Sequence, residues 1–314
     1  YDNNKFSGGI SEKEYLEYID DENMPLFNRA ISGTYPSGST IKPAIAAAAL
    51  QEGIINSVSS FFSGGGLAVS SWFFPDWKSG GHGWTDVRKS IAESVNTFYY
   101  YIGGGYEDFE GLGVKKITEY LRRFGFAKAS GIDLIGEVSG FLPSKEWKVE
   151  RKNERWYVGD TYNLSIGQGD LLATPLQVAS MTSAVANGGT LYRPHVVHKI
   201  SDSLSTDPQI KDSRIMDEEF INSSYLRIVR QGMRDCVTKG SCVRLSSLPK
   251  AVAGKTGTAQ WHSTKPNHAW FTSFAPYNSP EIVVTILVEE GEGGATTAAP
   301  IANQFYSWWF ANVD

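Results

Sequence analysis

The chain has 314 residues and a net charge of −5, and it shows no basic stripe, which argues against a nucleic-acid-binding protein. Hydrophobic residues make up 41% of the chain and aromatic residues 13%, so a disordered chain is excluded and a buried core is expected. The most apolar stretches, 44–50 and 282–288, are far shorter than the ~20 residues that a transmembrane helix needs.

Helices are predicted in the first three quarters of the chain. An amphipathic segment at 12–19 precedes a turn at 35–38, where proline and glycine stand close together. A helix should begin near Ser39 and continue to Leu50, because alanine is the strongest helix former and Pro43 suits a first turn. Residues punctuated by glycine follow and predict a loop-rich stretch at 51–90. Apolar periodicity predicts three further helices, at 114–124, 175–186 and 218–237.

The last sixty residues change character. Segments 251–260, 269–275 and 281–289 are strand-like, and β-branched or aromatic residues dominate the last two. The turn at 276–280 predicts that these two strands form an antiparallel hairpin, and an aromatic-rich helix is predicted at 301–311. Helices followed by strands indicate an α+β domain rather than an alternating α/β one.

Three short motifs occur in a fixed order. They are an S-x-x-K at 39–42, an S-x-N at 94–96 and a K-T-G-T at 255–258. An S-x-x-K by itself is also explained by a serine that caps a helix and a lysine on the surface. The combination, with the first motif on a helix and the third on a strand, is typical of penicillin-binding proteins and serine β-lactamases.

The first motif pairs Ser39 with Lys42. A serine hydroxyl is a poor nucleophile until a base takes its proton, and residues three apart lie on one helix face. Lys42 can be that base only when it is neutral, and burial together with a positive charge on Lys255 would lower its pKa. The helix N-terminus would also favour negative charge developing near Ser39. We therefore predict Ser39 as the nucleophile and Lys42 as its general base.

The other two motifs offer groups for the leaving amine and for the substrate. Ser94 brings a second hydroxyl that can relay a proton, and Asn96 offers both a donor and an acceptor to a peptide amide. Lys255 and Thr256 can bind a substrate carboxylate. Gly257 removes the side chain where the substrate backbone must come close. The edge of this strand could pair with an extended peptide.

The chain resembles the transpeptidase domain of class B penicillin-binding proteins, with the elongation-type penicillin-binding protein 2 group fitting best. The residues that carry this resemblance are 25–30, 35–43, 94–98, 165–169, 174–177 and 254–259. The resemblance implies one transpeptidase domain over 1–314, with a five-stranded antiparallel sheet flanked by helices and the nucleophile at the start of a central helix. It also implies that the backbone N–H groups of Ser39 and Thr258 form an oxyanion hole.

The resemblance further implies a peptidoglycan D,D-transpeptidase. Ser39 would attack the D-Ala–D-Ala bond of a stem peptide, and an amine of a neighbouring stem peptide would resolve the acyl-enzyme. A β-lactam antibiotic would stall at the acyl stage. The implied partners are a glycosyltransferase and other elongation-complex proteins. The implied location is extracytoplasmic, with an upstream membrane anchor and a non-catalytic pedestal before the abrupt start at Tyr1.

Two features fit the resemblance less well. Some elongation-type relatives hold zinc near the loop framed by Asp76 and His82, with a cysteine in the middle of the S-x-N motif. That position is Val95 here and cannot bind a metal, so we predict no metal or other cofactor and a loop hydrogen bond between Asp76 and His82. Cys236 and Cys242 can form a local disulfide or remain unpaired thiols, and the resemblance assigns them no role.

Other interpretations of the same motifs remain open. A D,D-carboxypeptidase or a β-lactamase would share the first half-reaction but admit water to the acyl-enzyme. A class A β-lactamase needs a glutamate to activate that water, and no recognisable motif contains one of the glutamates at 107, 110, 137 and 146. A β-lactam sensor domain would keep all three motifs and turn nothing over. The lifetime of the acyl-enzyme distinguishes these functions.

Overall fold

The computed structural model describes residues 1–201, 209–210 and 212–313. Helices α1 to α12 are, in chain order, Asn4–Ser7, Glu12–Ile19, Arg29–Ser32, Lys42–Gln51, Val87–Ala92, Asn96–Gly104, Gly113–Arg123, Lys145–Lys152, Val158–Ser165, Pro175–Asn187, Ser223–Lys239 and Ala299–Asn312. Strands β1 to β11 are Ser60–Ser63, Gly66–Val69, Trp72–Pro75, Gly83–Asp86, Leu191–Arg193, Lys199–Ile200, Gln209–Ile210, Arg214–Asp217, Ala253–Ala259, His268–Ala275 and Ile282–Val288. None of the helices in this part of the chain has the length and apolarity that crossing a membrane requires.

The predicted helices form close to their expected positions. The helix predicted from 218 begins only at Ser223, because residues 218–222 form an irregular bend after β8 and Asn222 caps the helix by accepting a hydrogen bond from the Ser224 N–H. The helix predicted at 301–311 begins two residues earlier and is preceded by a π-helical turn, Gly294–Ala298.

The central sheet is antiparallel, in the order β11-β10-β9. All eight residues of β10 are buried, because successive side chains point to opposite faces and both faces are covered. Trp270 and Phe274 join the main hydrophobic core beside α4, whereas Ala269 and Phe271 pack in a second core with α12. The predicted hairpin and the α+β class are confirmed. Where the resemblance implied five strands, three are hydrogen-bonded together within the described residues, and the remaining strands form two-stranded pairs.

The stretch at 51–90, predicted as loop-rich, contains four strands and the prediction is wrong there. Strand β1 pairs with β4, and β2 pairs with β3 between them. The glycines allow neighbouring backbone segments to approach closely, and they do not prevent strands from forming. A Cβ on Gly81, for example, would clash with the carbonyl oxygen of Ser63. Exposed Phe62 and Trp84 face each other across β1 and β4 with ring centroids 5.8 Å apart.

Helix α4 lies inside the main core. Every residue from Lys42 to Leu50 is buried, and the helix contacts α6, α7 and α11. Its small alanine side chains allow these helices to approach closely on several sides. The same packing carries Lys42, at the start of the helix, into the interior.

Candidate active site

The serine of the S-x-x-K motif lies in a 3-10 helix, Gly38–Ile41, that leads directly into α4. The N–H of Lys42 donates to the carbonyl oxygen of Ser39. Residues three apart are eclipsed in a 3-10 helix, so Ser39 and Lys42 share a face even more strictly than in an α-helix. Ser39 remains half-buried, whereas Lys42 is fully buried.

Three glycines hold this turn against its neighbours. Gly38 has φ +53°, and a Cβ there would lie 2.6 Å from the carbonyl oxygen of Thr258 on β9. A Cβ on Gly257 would lie 2.8 Å from Thr40 Cγ2, so this glycine makes room for the turn that carries the nucleophile, a role the sequence did not predict. Behind the turn, the N–H of Gly38 donates to the carbonyl oxygen of Gly167 at 2.9 Å. A Cβ on Gly167 would clash with the carbonyl oxygen of Gly38.

The Lys42 amine joins the first two motifs. Its Nζ donates to Asn96 Oδ1 at 2.7 Å and to the carbonyl oxygen of Ser94 at 2.8 Å, and it lies 3.3 Å from Ser94 Oγ. The ring of Tyr99 lies 5.0 Å away. Ser94 adopts φ +59°, a strained conformation for a residue other than glycine, and its carbonyl oxygen reaches the amine in this conformation.

Burial sets the charge of the two lysines. It lowers the pKa of Lys42 to about 7, against the opposing effect of the Asp76 carboxylate. Burial also lowers the pKa of Lys255 well below its ordinary value, and the charge of Lys42 adds to that effect. Burial and the positive charge of Lys255 were both expected from the sequence to lower the Lys42 pKa, and burial is the cause that the structure supports. A lysine with a pKa near 7 is neutral often enough to act as a base.

The K-T-G-T motif forms most of β9. Lys255 is fully buried and its Nζ donates to the carbonyl oxygen of Thr256 at 2.8 Å. The Thr256 hydroxyl is 2.7 Å from Ser241 Oγ, and Thr258 is exposed. A cleft of about 230 Å³ brings the motifs together; its lining residues are Ser39, Trp77, Ser94, Ser241, Thr256, Gly257, Thr258, Gly293, Gly294, Ala295 and Thr296.

Three polar or aromatic residues that line this cleft, Trp77, Ser241 and Thr296, were not predicted from the sequence. Trp77 follows Asp76, and its indole N–H donates to the carbonyl oxygen of Glu93 at 3.1 Å. Ser241 precedes Cys242, and its position next to that cysteine was the only feature of the sequence that could have pointed to Ser241. A larger cavity of about 950 Å³ lies near Trp261 and Glu289, but none of the three motifs lines it. We therefore assign the chemistry to the smaller cleft.

Asp76 binds the residue that directly follows the S-x-N motif. Its Oδ2 accepts hydrogen bonds from the backbone N–H of Thr97 at 2.9 Å and from the Thr97 hydroxyl at 2.7 Å, within the first turn of α6. His82 Nε2 is 3.6 Å from Asp76 Oδ1, too far for a hydrogen bond, so the predicted loop hydrogen bond between them is not formed. His82 instead pairs through Nδ1 with Glu93 at 2.7 Å.

The surroundings of Asp76 and His82 do not fit a zinc ion. Zinc sites in proteins usually take three or four protein ligands. Asp76 and His82 offer two, and the described ranges contain no group of three or more His, Cys, Asp or Glu residues placed to hold an ion. Val95, in the middle of the S-x-N motif, is buried and apolar.

The two cysteines form a disulfide. Cys236, near the end of α11, is bonded to Cys242, and both are buried. Of the alternatives that the sequence left open, the structure therefore shows the local disulfide.

Comparison with known proteins identifies the family. The family model described as the penicillin binding protein transpeptidase domain matches residues 1–307. The chain belongs to this family. The peptidoglycan D,D-transpeptidase MrdA of Haemophilus influenzae is 35% identical over 98% of this chain and 49% of its own length. MrdA of Escherichia coli K12 is 34% identical over 94% of this chain and 48% of its own length. The chain thus spans about half the length of these transpeptidases.

Solved structures of penicillin-binding proteins share the fold. PBP2 of Pseudomonas aeruginosa, in complex with WCK 5153, has a TM-score of 0.84 and 34% identity, covering 100% of this chain and 67% of its own. PBP2 of Helicobacter pylori, in complex with MreC, has a TM-score of 0.84 and 33% identity, covering 99% of this chain and 56% of its own. These likenesses confirm the predicted family, its penicillin-binding protein 2 group and the predicted fold class.

Proposed function

We propose that this chain is a peptidoglycan D,D-transpeptidase that forms an acyl-enzyme at Ser39 from D-Ala–D-Ala stem peptides. One observation carries the proposal. The buried amine of Lys42 lies between Ser94 and Asn96 and one turn after Ser39, and Ser39 and Ser94 line the cleft bordered by the K-T-G-T strand.

The contacts of Lys42 suit a general base. A neutral amine has two hydrogens and one lone pair. The carbonyl oxygen of Ser94 and Oδ1 of Asn96 can take the two hydrogens, which leaves the lone pair for the proton of Ser39. As Oγ of Ser39 bonds to the carbonyl carbon of the D-Ala–D-Ala peptide, negative charge develops on the carbonyl oxygen. We assign its stabilisation to the backbone N–H groups of Ser39 and Thr258.

Breakdown of this intermediate expels D-alanine. The leaving amine needs a proton, and Ser94 Oγ, at 3.3 Å from Lys42 Nζ, can pass on the one that Lys42 received. Lys255 and the hydroxyls of Thr256 and Thr258 are suited to bind the terminal carboxylate of the substrate, because they line or underlie the same side of the cleft.

The second half-reaction needs an acceptor, which is either water or an amine. None of the described residues that line the cleft is acidic, so the cleft lacks the carboxylate that a class A β-lactamase uses to activate water. The glutamates at 107, 110, 137 and 146 lie elsewhere. By analogy with the transpeptidase relatives, we propose that an amine of a neighbouring stem peptide resolves the acyl-enzyme and that a bound β-lactam persists.

The relatives suggest a larger setting. They are about twice as long as this chain, so we infer that residues 1–314 act as the transpeptidase domain of a longer protein. We place it on the outer face of the cytoplasmic membrane, held by an N-terminal anchor and joined to a pedestal domain. The MreC complex of the H. pylori relative and the peptidoglycan synthase complex among the similar structures support elongation-complex and glycosyltransferase partners.

Labelling with a fluorescent penicillin tests the acylation. We expect one label per chain, at Ser39 by peptide mass spectrometry, that lasts for minutes or longer. Ser39→Ala should remove it, and Lys42→Ala should slow it by about 10²–10⁴-fold, the usual loss when a general base is removed. Circular dichroism of each variant checks that it folds.

The other outcomes are informative. Rapid release of hydrolysed drug would favour a β-lactamase, and a folded wild-type chain without label would overturn acylation at Ser39. Incubation with a D-Ala–D-Ala stem peptide and an amine acceptor separates the remaining functions. A cross-linked product supports the transpeptidase, hydrolysis alone indicates a carboxypeptidase, and no turnover with a stable penicillin adduct indicates a sensor.

A further inference from the structure

The Cys236–Cys242 disulfide and the serine that it encloses have no part in the reaction described above. The disulfide closes a short loop at the end of α11, and Ser241 lies inside that loop. Ser241 is half-buried and lines the cleft beside Thr256. A rigid loop thus presents one hydroxyl group to the candidate active site.

The loop is pressed against the segment that leads into the S-x-N motif. The N–H of Ser241 donates to the carbonyl oxygen of Ala92, two residues before Ser94, at 3.0 Å. Gly240 makes this approach possible, since a Cβ there would clash with the same carbonyl oxygen. The N–H of Cys242 donates back to the carbonyl oxygen of Cys236 at 2.9 Å. Backbone and disulfide together therefore fix the position of Ser241.

The Ser241 hydroxyl has two neighbours, and it can donate to only one of them. Its Oγ is 2.7 Å from Thr256 Oγ1 and 3.2 Å from Cys236 Sγ. A disulfide sulfur carries no hydrogen and is a weak acceptor, so donation to the Thr256 oxygen is the stronger choice. When Ser241 donates to Thr256, the proton of Thr256 is free for another partner.

A carboxylate needs such a proton, because an ionised carboxylate only accepts hydrogen bonds. We propose that Ser241, held by the Cys236–Cys242 disulfide, is a positioning residue that directs the Thr256 hydroxyl proton toward the terminal carboxylate of the bound substrate. The inference rests on the proposed function, in which Thr256 binds that carboxylate. The disulfide contributes by limiting the positions of the loop before the substrate arrives.

The test compares a ligand with the carboxylate and one without it. Benzylpenicillin carries the carboxylate, and its methyl ester does not. We expect Ser241→Ala to lower the second-order acylation rate constant for benzylpenicillin by about tenfold, the value of one hydrogen bond to a charged group. The lower rate constant should result from weaker binding of benzylpenicillin before the acyl bond forms. The rate constant for the methyl ester should stay at the wild-type value.

Two further variants serve as controls. Ser241→Thr keeps the hydroxyl and should restore most of the preference for the acid over the ester. Ser246→Ala removes an exposed serine just beyond the loop and should change neither rate constant. Thermal unfolding followed by circular dichroism identifies any variant whose fold is damaged.

The double variant Cys236→Ala/Cys242→Ala tests the disulfide. It keeps Ser241 but frees the loop, so we expect a partial loss of the same preference, and an unchanged preference would overturn the role of the disulfide. A Ser241→Ala variant that acylates with benzylpenicillin at the wild-type rate, or that loses acid and ester reactivity equally, would overturn the inference. A wild-type chain that reacts with neither ligand would instead overturn acylation itself.

Discussion

At the residue scale, Lys42 determines what the site can do. Its pKa falls to about 7 because it is buried, and α4 is buried because its alanines allow other helices to pack around it. Asn96 and the carbonyl oxygen of Ser94 then hold the amine in one orientation. Charge and orientation therefore both depend on parts of the chain that are distant in sequence.

The pKa of Lys42 predicts how acylation depends on pH. Only the neutral amine can take the proton of Ser39, and the neutral fraction grows as pH rises through the pKa. The second-order rate constant for fluorescent penicillin should therefore rise about tenfold per pH unit below pH 7 and level off above it. Stopped-flow labelling between pH 5 and 9 measures this profile. A rate that is flat across the range, or still rising near pH 9, would contradict the assignment of Lys42 as the base.

At the element scale, backbone contacts between three segments place the nucleophile. The 3-10 turn touches β9 through Gly38 and Gly257, and it touches the segment after α9 through Gly167. None of these contacts has room for a side chain at the glycine. The resemblance drew attention to residues 165–169 without giving them a role, and the structure shows that Gly167 supports the turn of Ser39.

Alanine at Gly167 tests this support, and Gly169 provides a matched control. The two glycines have nearly equal φ values, +77° and +75°, so both substitutions carry a similar backbone penalty of about 1–2 kcal/mol. Only a Cβ on Gly167 would clash with Gly38, whereas one on Gly169 would meet Asn163 at an ordinary 3.5 Å.

We expect Gly167→Ala to lower the acylation rate constant by about 10²-fold, as displacement of a reacting group by 1 Å can do. Gly169→Ala should stay within a few-fold of the wild type, as measured by penicillin labelling. Equal losses in the two variants would mean that backbone conformation matters here and that the contact with Gly38 does not.

At the scale of the whole molecule, the central sheet separates two hydrophobic cores. The main core lies between the sheet and the helices around α4, and the second lies between the sheet and α12. Tyr306 of α12 is fully buried in the second core, and its hydroxyl is 3.0 Å from Ser273 Oγ on β10. The last helix therefore holds β10 in place from the face opposite the main core.

Substitution of Tyr306 tests the contribution of this second core. Tyr306→Ala should lower the free energy of unfolding by about 3–5 kcal/mol, the usual cost of removing a large buried aromatic side chain. The neighbouring Phe305 is 36% exposed, so Phe305→Ala should cost clearly less. Urea denaturation followed by circular dichroism measures both values. A similar small loss in the two variants would show that α12 is not needed to cover the sheet.

The sequence by itself predicted the local features of this protein. Alanine content, proline and glycine positions and the alternation of apolar residues indicated α4, the other long helices and the β10–β11 hairpin, because those signals act within a few residues. The order and spacing of the three motifs also indicated the penicillin-binding family and named Ser39, Lys42, Ser94, Asn96 and Lys255 together.

The tertiary structure decided what depends on distant neighbours. The loop prediction at 51–90 failed because the glycines there serve close pairing between strands, which a single stretch of sequence does not reveal. The pairing of Cys236 with Cys242, the contact between Ser241 and Thr256 and the desolvation of Lys42 all arise from packing. A pKa or a shared hydroxyl proton responds to every group within a few ångströms, and folding alone brings those groups together.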